Sequence, residues 1–139
     1  MKIGFTCSTF DLFHAGHVIM LEEAKKQCDF LIVGLQTDPT IDRPQKNKPV
    51  QGVFERYAQL KACKFVDQII PYETEKELLD LLQCVPIDVR ILGEEYMNQD
   101  FTGMHLPMEF HFNKRRHSFS TTELRQRVLF AEDIKRLKD

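Results

Sequence analysis

The sequence has no excess of charge of either sign. Its 19 lysines and arginines stand against 21 aspartates and glutamates, a formal net charge of −2. Broad nucleic-acid binding normally needs a strongly basic face, so that class is set aside, while a local basic site for one polyphosphate stays open. Paired cysteine motifs are also missing. Cys7, Cys28, Cys63 and Cys84 are widely spaced and form no C-x-x-C, which argues against a zinc site or a secreted disulfide framework. No apolar run approaches a membrane span, and Ile3 to Phe5 behind Met-Lys is too short for a signal-peptide core. Repeats and low-complexity tracts are absent too. The expectation is a reduced, cytoplasmic protein that binds neither membrane nor nucleic acid.

What remains has the profile of an ordinary globular chain, 42% hydrophobic and 29% charged over 139 residues. That length suits one domain, residues 1–139, around one core. Short apolar runs predict strands at Lys2–Thr6, Phe30–Leu35, Gln68–Pro71 and Asp88–Leu92, with a fifth at Met108–Phe112. Between them, helical spacing predicts helices at His17–Cys28, Val53–Cys63 and Glu75–Cys84, and a closing helix starts near Ser120. Its S-x-x-E pattern with Glu123 is that of a capping box. Thr37–Val50, with three prolines, and Gly93–Pro107 are expected to be irregular. This alternation implies an α/β fold, a Rossmann-like three-layer sandwich with a five-stranded parallel sheet. Ligands of such sheets bind beyond the carboxyl ends of the strands, near helix N-termini.

Two motifs fall there. The first, Thr9-Phe10-Asp11-Leu12-Phe13-His14-Ala15-Gly16-His17, joins the first strand to the first helix. A helix N-terminus offers free N–H groups and a positive dipole end to phosphate, and Gly16 lets the backbone come close. His14 and His17 can donate hydrogen bonds to oxygens that gain charge in phosphoryl transfer. They can equally be capping or half-buried polar residues. The second motif, Arg115-Arg116-His117-Ser118-Phe119-Ser120-Thr121-Thr122, precedes the last helix. Its hydroxyls and Arg115 suit phosphate oxygens. Taken alone, it also reads as a solvated basic turn with an N-cap.

Together these segments resemble a known family. T-F-D-L-F-H-A-G-H is similar to the H-x-G-H signature of the cytidylyltransferase-like nucleotidyltransferases, closest in pattern to the bacterial glycerol-3-phosphate cytidylyltransferases. R-R-H-S-F-S-T-T resembles that family's R-T-E-G-I-S-T-T segment, which closes over the triphosphate. The resemblance implies transfer of CMP from CTP to a phosphorylated small alcohol such as glycerol 3-phosphate, releasing pyrophosphate. It implies catalytic roles for His14, His17, Arg115 and Lys46. Nucleotide contacts fall to Ser8, Thr9, Phe10, Gly16, Lys48, Arg56, Glu94, Ser120, Thr121 and Thr122. Asp11, Asp38 and Asp67 are expected to orient loops or cap strand ends. Mg2+ is expected to arrive with the nucleotide, held mainly by its phosphates, with no metal site in the protein. The partners implied are CTP, the acceptor and a second copy in a homodimer.

Departures bear on the acceptor. Ser8 replaces the family's glycine, Leu78 stands where its acceptor-binding lysine would, Glu75 replaces a neighbouring tryptophan, and Lys76 is the nearest basic residue. Glycerol 3-phosphate is therefore expected to be a poor acceptor, improved by Leu78→Lys. Alternatives are an adenylyltransferase, a cytidylyltransferase for a sugar phosphate or phosphoethanolamine, or a catalytically silent nucleotide sensor. A tRNA synthetase fragment shares the H-x-G-H idea, but nothing resembles an anticodon-binding or editing domain.

Overall fold

Strand Phe30–Gln36 (β2) is almost wholly apolar, and the computed structural model, which describes residues 1–139, buries it on both faces. Leu31, Val33 and Leu35 point into one core with Leu21 and Ala24 of helix Ala15–Lys26 (α1) and Leu60 of helix Val53–Lys61 (α2). The intervening Ile32 points the other way, packing with Phe5 of strand Ile3–Ser8 (β1) and with Leu78 and Leu82 of helix Glu75–Cys84 (α3). The period of two along the strand thus feeds helices on both sides of the sheet, giving the expected three layers.

The remaining strands are Gln68–Tyr72 (β3), Val89–Gly93 (β4) and Glu109–Asn113 (β5). All pairings are parallel, in the order β3-β2-β1-β4-β5. Pro71, which cannot donate to a ladder, is tolerated because β3 is an edge strand. The chain moves outward from β1 through β2 and β3, then returns to lay β4 on the other side of β1. The carboxyl ends of β1 and β4 therefore flank the switch point, where a crevice opens.

Element boundaries differ from the sequence pattern in instructive places. Helix α1 begins at Ala15 rather than His17, because a histidine caps it. The segment after β4 opens with a 3-10 turn, Glu94–Asn98. Helix Thr121–Lys138 (α4) is capped by Ser120, which accepts the Glu123 N–H at 3.0 Å, without the reciprocal bond from the Glu123 side chain. Past its first turn and a half α4 lies on the surface, with Val128, Phe130 and Ile134 exposed.

One side chain ties the crevice rim together. Arg56 of α2 is 1% exposed. Its Nε donates to the Gln51 carbonyl at 3.1 Å, Nη1 to those of Thr9 (2.9 Å) and Gln36 (2.6 Å), and Nη2 to that of Thr37 (2.6 Å). The guanidinium fork gathers the chain ends that leave β1 and β2 and the chain that enters α2. Arg56→Leu leaves these carbonyls unpaired in the interior and should cost roughly 3–5 kcal/mol in urea unfolding. Arg56→Lys, with donors on a single nitrogen, should recover only part of the loss. Parent-like midpoints for both variants would show that the carbonyls need no guanidinium.

Candidate active site

The turn from β1 to α1 is held against local preference. Phe10 and Leu12 both occupy the left-handed region, with φ of 51° and 53°, a conformation that costs non-glycine residues of order 1–3 kcal/mol. Burial of the Phe10 ring and a hydrogen bond from Leu12 N–H to Gln51 Oε1 (2.8 Å) offset that cost. Between them Asp11 points inward, accepting Val50 N–H on Oδ2 (2.9 Å) and Gln51 N–H on Oδ1 (3.0 Å). Asp11 thus ties this turn to the far end of the β2–α2 loop.

The two histidines form a reciprocal cap. His14 Nδ1 accepts the Gly16 N–H at 3.0 Å, and His17 Nδ1 accepts the His14 N–H at 3.1 Å. Each Nδ1 is therefore an acceptor, and each neutral ring carries its proton on Nε2. Satisfying the helix start leaves each imidazole with an outward N–H donor. The His14 donor meets Thr121 Oγ1 at 3.1 Å. Burial is the main force keeping both rings neutral. It lowers His14, helped by His117 and Arg115, and pushes His17 down to about 4, helped by His14 and opposed by Asp11. Phe13 stacks on His17 at 5.4 Å, and the Phe10 ring supports it from the core at the same distance. Gly16 is required for space. A Cβ there would lie 2.7 Å from His14 Cε1 and 3.0 Å from His117 Cε1.

The second motif closes on the first. Thr121 bridges His14 and the Asp11 carbonyl, so the start of α4 is docked on the start of α1. Ser120, Thr121 and Arg115 line the crevice beside His14 and His17, and Arg115 Nη2 donates to the Phe119 carbonyl. His117, which the residue pattern did not single out, joins them. Its Nδ1 accepts the Phe119 N–H at 3.0 Å, so its free Nε2 is again the donor. Its place in R-R-H-S-F, before a capping serine, was the available signal.

The crevice runs from there over the ends of β1 and β4 into a cleft of about 1280 Å3, lined by Ser8, Thr9, Lys46 and Thr122 among others. Several expected site residues sit elsewhere. Arg56 presents its N–H groups to carbonyls beneath the cleft rather than to its interior. Lys48 and Glu94 are exposed and do not line the cleft, whereas Glu95 does. Phe10 lines the cleft while its ring packs into the core. Asp38 binds the Thr40 N–H and hydroxyl (2.9 and 2.6 Å), orienting its loop. Asp67 lies at the opposite edge of the sheet, where it accepts Leu31 N–H at 2.8 Å and pairs with Lys25. Leu78 is 2% exposed and packs with Phe5, Ile32, Tyr72 and Leu82. Leu78 also borders the cleft, but a lysine there would place its ammonium against this core, which argues against the expectation that Leu78→Lys improves acceptor use.

The donor set bears on magnesium. No three His, Cys, Asp or Glu side chains converge to hold a metal ion, and both Asp11 oxygens already accept N–H bonds. The end of the crevice between α1 and α4 offers N–H and O–H donors, which suit anionic oxygens rather than a cation.

A family model described as cytidylyltransferase-like matches residues 5–127. The chain is similar to an ethanolamine-phosphate cytidylyltransferase of Dictyostelium discoideum, 37% identical over 130 residues, 88% of this chain and 35% of that protein. It is also similar to the bifunctional protein HldE of Helicobacter pylori (strain HPAG1), 32% identical over 128 residues, 91% of this chain and 27% of that one. The chain thus spans about a third or less of the length of these relatives. Among solved structures, the lipopolysaccharide core biosynthesis protein from Thermoplasma volcanium GSS1 aligns with a TM-score of 0.66 at 25% identity, over 86% of this chain and 99% of that one. Pantoate-beta-alanine ligase from Francisella tularensis shares the fold, with a TM-score of 0.59 at 17% identity over 89% and 67% of the two chains. No helix is long and apolar enough to cross a membrane.

The His17 geometry has a consequence for stability. Folded, the ring stays neutral down to about 4; unfolded, it takes a proton below its ordinary 6.5. Between these values the unfolded chain binds the extra proton, so the His17 contribution is complete above pH 6.5 and is lost as pH falls toward 4. The amount is of order 3 kcal/mol. Urea midpoints measured from pH 7 to 4 should fall less in His17→Gln, which keeps a capping acceptor. Equal slopes in parent and variant would mean that His17 is ionised in the fold.

Proposed function

The chain belongs to the cytidylyltransferase-like family of nucleotidyltransferases, and from that premise we propose that it transfers CMP from CTP to a phosphorylated small alcohol, releasing pyrophosphate. The observation that carries the reading is the pair of imidazoles whose Nδ1 atoms cap α1, leaving Nε2–H donors at a phosphate-binding helix start. In the reaction, an acceptor phosphate oxygen attacks the α-phosphorus in line as the bond to the β-phosphate oxygen breaks. The acceptor oxygen is already ionised, so no protein base or nucleophile is needed and catalysis is positioning plus electrostatics. His14 and His17 donate to the oxygens on which charge builds. Arg115, Lys46 and the hydroxyls of Ser120, Thr121 and Thr122 steady the leaving pyrophosphate. Magnesium, carried by the nucleotide, neutralises phosphate charge.

The Dictyostelium relative favours a second reading of the acceptor, phosphoethanolamine. A homodimer is the assembly that the family resemblance implies. The exposed Phe130, Ile134 and Leu137, spaced i, i+4 and i+7 on one face, support pairing along α4.

Pyrophosphate release across four nucleotides and a panel of phosphorylated alcohols tests the reaction, with CTP expected to be preferred. His14→Asn and His17→Gln keep capping acceptors while removing the Nε2–H donor. Each should lower turnover by about two to three powers of ten, with melting unchanged above pH 6.5. Parent-like turnover in either variant would leave that histidine a cap alone. Arg115→Ala should raise KM for CTP and lower kcat together, because a phosphate clamp acts in both ground and transition states. Unchanged CTP kinetics would return Arg115 to the solvated surface.

A further inference from the structure

With Leu78 in the core, the α3 cation that lines the cleft is Lys76, and the wall beside it carries another. Arg43, in the β2–α2 loop, lines the cleft and donates from Nη2 to Glu75 Oε1 at 2.8 Å. Glu75 is the first residue of α3. Its other oxygen accepts from Thr102 Oγ1 at 2.8 Å, and its main-chain N–H donates to Asp42 Oδ2 at 2.5 Å. One carboxylate therefore joins the β2–α2 loop, α3 and the β4–β5 connection across the cleft.

Stability alone does not explain this arrangement. The Arg43 and Glu75 side chains are 37% and 32% exposed, and half-exposed ion pairs add little to folding. The Glu75 bond engages only Nη2, so the other terminal nitrogen of this cleft-lining guanidinium is free to meet an anion. Lys46 in the same loop and Lys76 beside Glu75 line the same cleft, so this end is positive wherever Glu75 does not neutralise it.

We propose that Arg43, aimed by Glu75, binds the phosphate of the acceptor, and that Glu75 and Thr102 face its carbon chain. This rests on reading the chain as a nucleotidyltransferase with a phosphorylated acceptor. Each Glu75 oxygen accepts one hydrogen bond and keeps a lone pair, and the Thr102 oxygen can accept as well. This end therefore takes a hydroxyl or ammonium donor on the acceptor's chain. Arg43 is the binding residue; Glu75 is a positioning residue.

Binding and turnover test separate parts of this claim. Ligand-observed NMR of glycerol 3-phosphate and of phosphoethanolamine, with and without CTP, should show at least one of them binding to the parent. Arg43→Gln should weaken that binding ten- to a hundredfold while leaving CTP affinity within twofold. Glu75→Gln should give an intermediate loss, and Arg43→Lys a partial rescue. If pyrophosphate release is measurable, Arg43→Gln should raise KM for the acceptor and not for CTP. Acceptor binding indifferent to Arg43→Gln, equal losses for acceptor and CTP, or binding of neither probe to the parent would each overturn the proposal. A parent that binds glycerol 3-phosphate through Arg43 yet releases no pyrophosphate would overturn the transferase reading and leave this site standing.

Discussion

A helix start leaves main-chain N–H groups without partners, and in this protein two imidazoles supply them. Everything else in the site follows from that choice of cap. An aspartate would satisfy the same N–H groups and leave nothing to donate. An imidazole has two nitrogens, so using Nδ1 as the acceptor commits the proton to Nε2. Burial then keeps the rings neutral, and the tautomer is set before any ligand arrives. Protonating either Nδ1 would break the cap, so the ionisation of the site and the integrity of α1 are one equilibrium.

Around this cap the scaffold is over-determined. Phe10 and Leu12 are held left-handed, Asp11 is fixed by two N–H groups between them, and Arg56 grips the carbonyl side of the same region. The interactions are complementary in sign. The carboxylate collects donors, the guanidinium collects acceptors, and neither has to face solvent. A strained turn persists because its neighbours leave it no cheaper arrangement.

The sheet and helices were legible in the sequence because short apolar runs and helical spacing alternate cleanly, and the two signature segments fall where an open sheet binds ligands. The start of α1 was less legible, since histidine is not a usual N-cap. Arg56 carries the charge expected at a phosphate site, but its burial depends on carbonyls from three distant segments that no local pattern reveals. Leu78 yielded to a simpler signal. Leu78 and Leu82 are spaced four apart, the stripe of a core-facing helix, and that pattern outweighs alignment to a family lysine. Glu95 rather than Glu94 lines the cleft because the chain enters a 3-10 turn there. Arg43 sits in a loop, where no periodicity points, and only the folded chain brings it to Glu75.

The β2–α2 loop is pinned at two places, at Arg43 by Glu75 and at Val50 and Gln51 by Asp11. Between the pins run six residues, Pro44 to Pro49, with a proline at each end and Lys46 within. Such a span reaches at most about 20 Å and is stiffened by both rings. The Lys46 ammonium therefore explores a small volume beside the cleft, as though present at high local concentration. Most of the ordering entropy that a free loop would surrender to a polyphosphate has already been lost in folding.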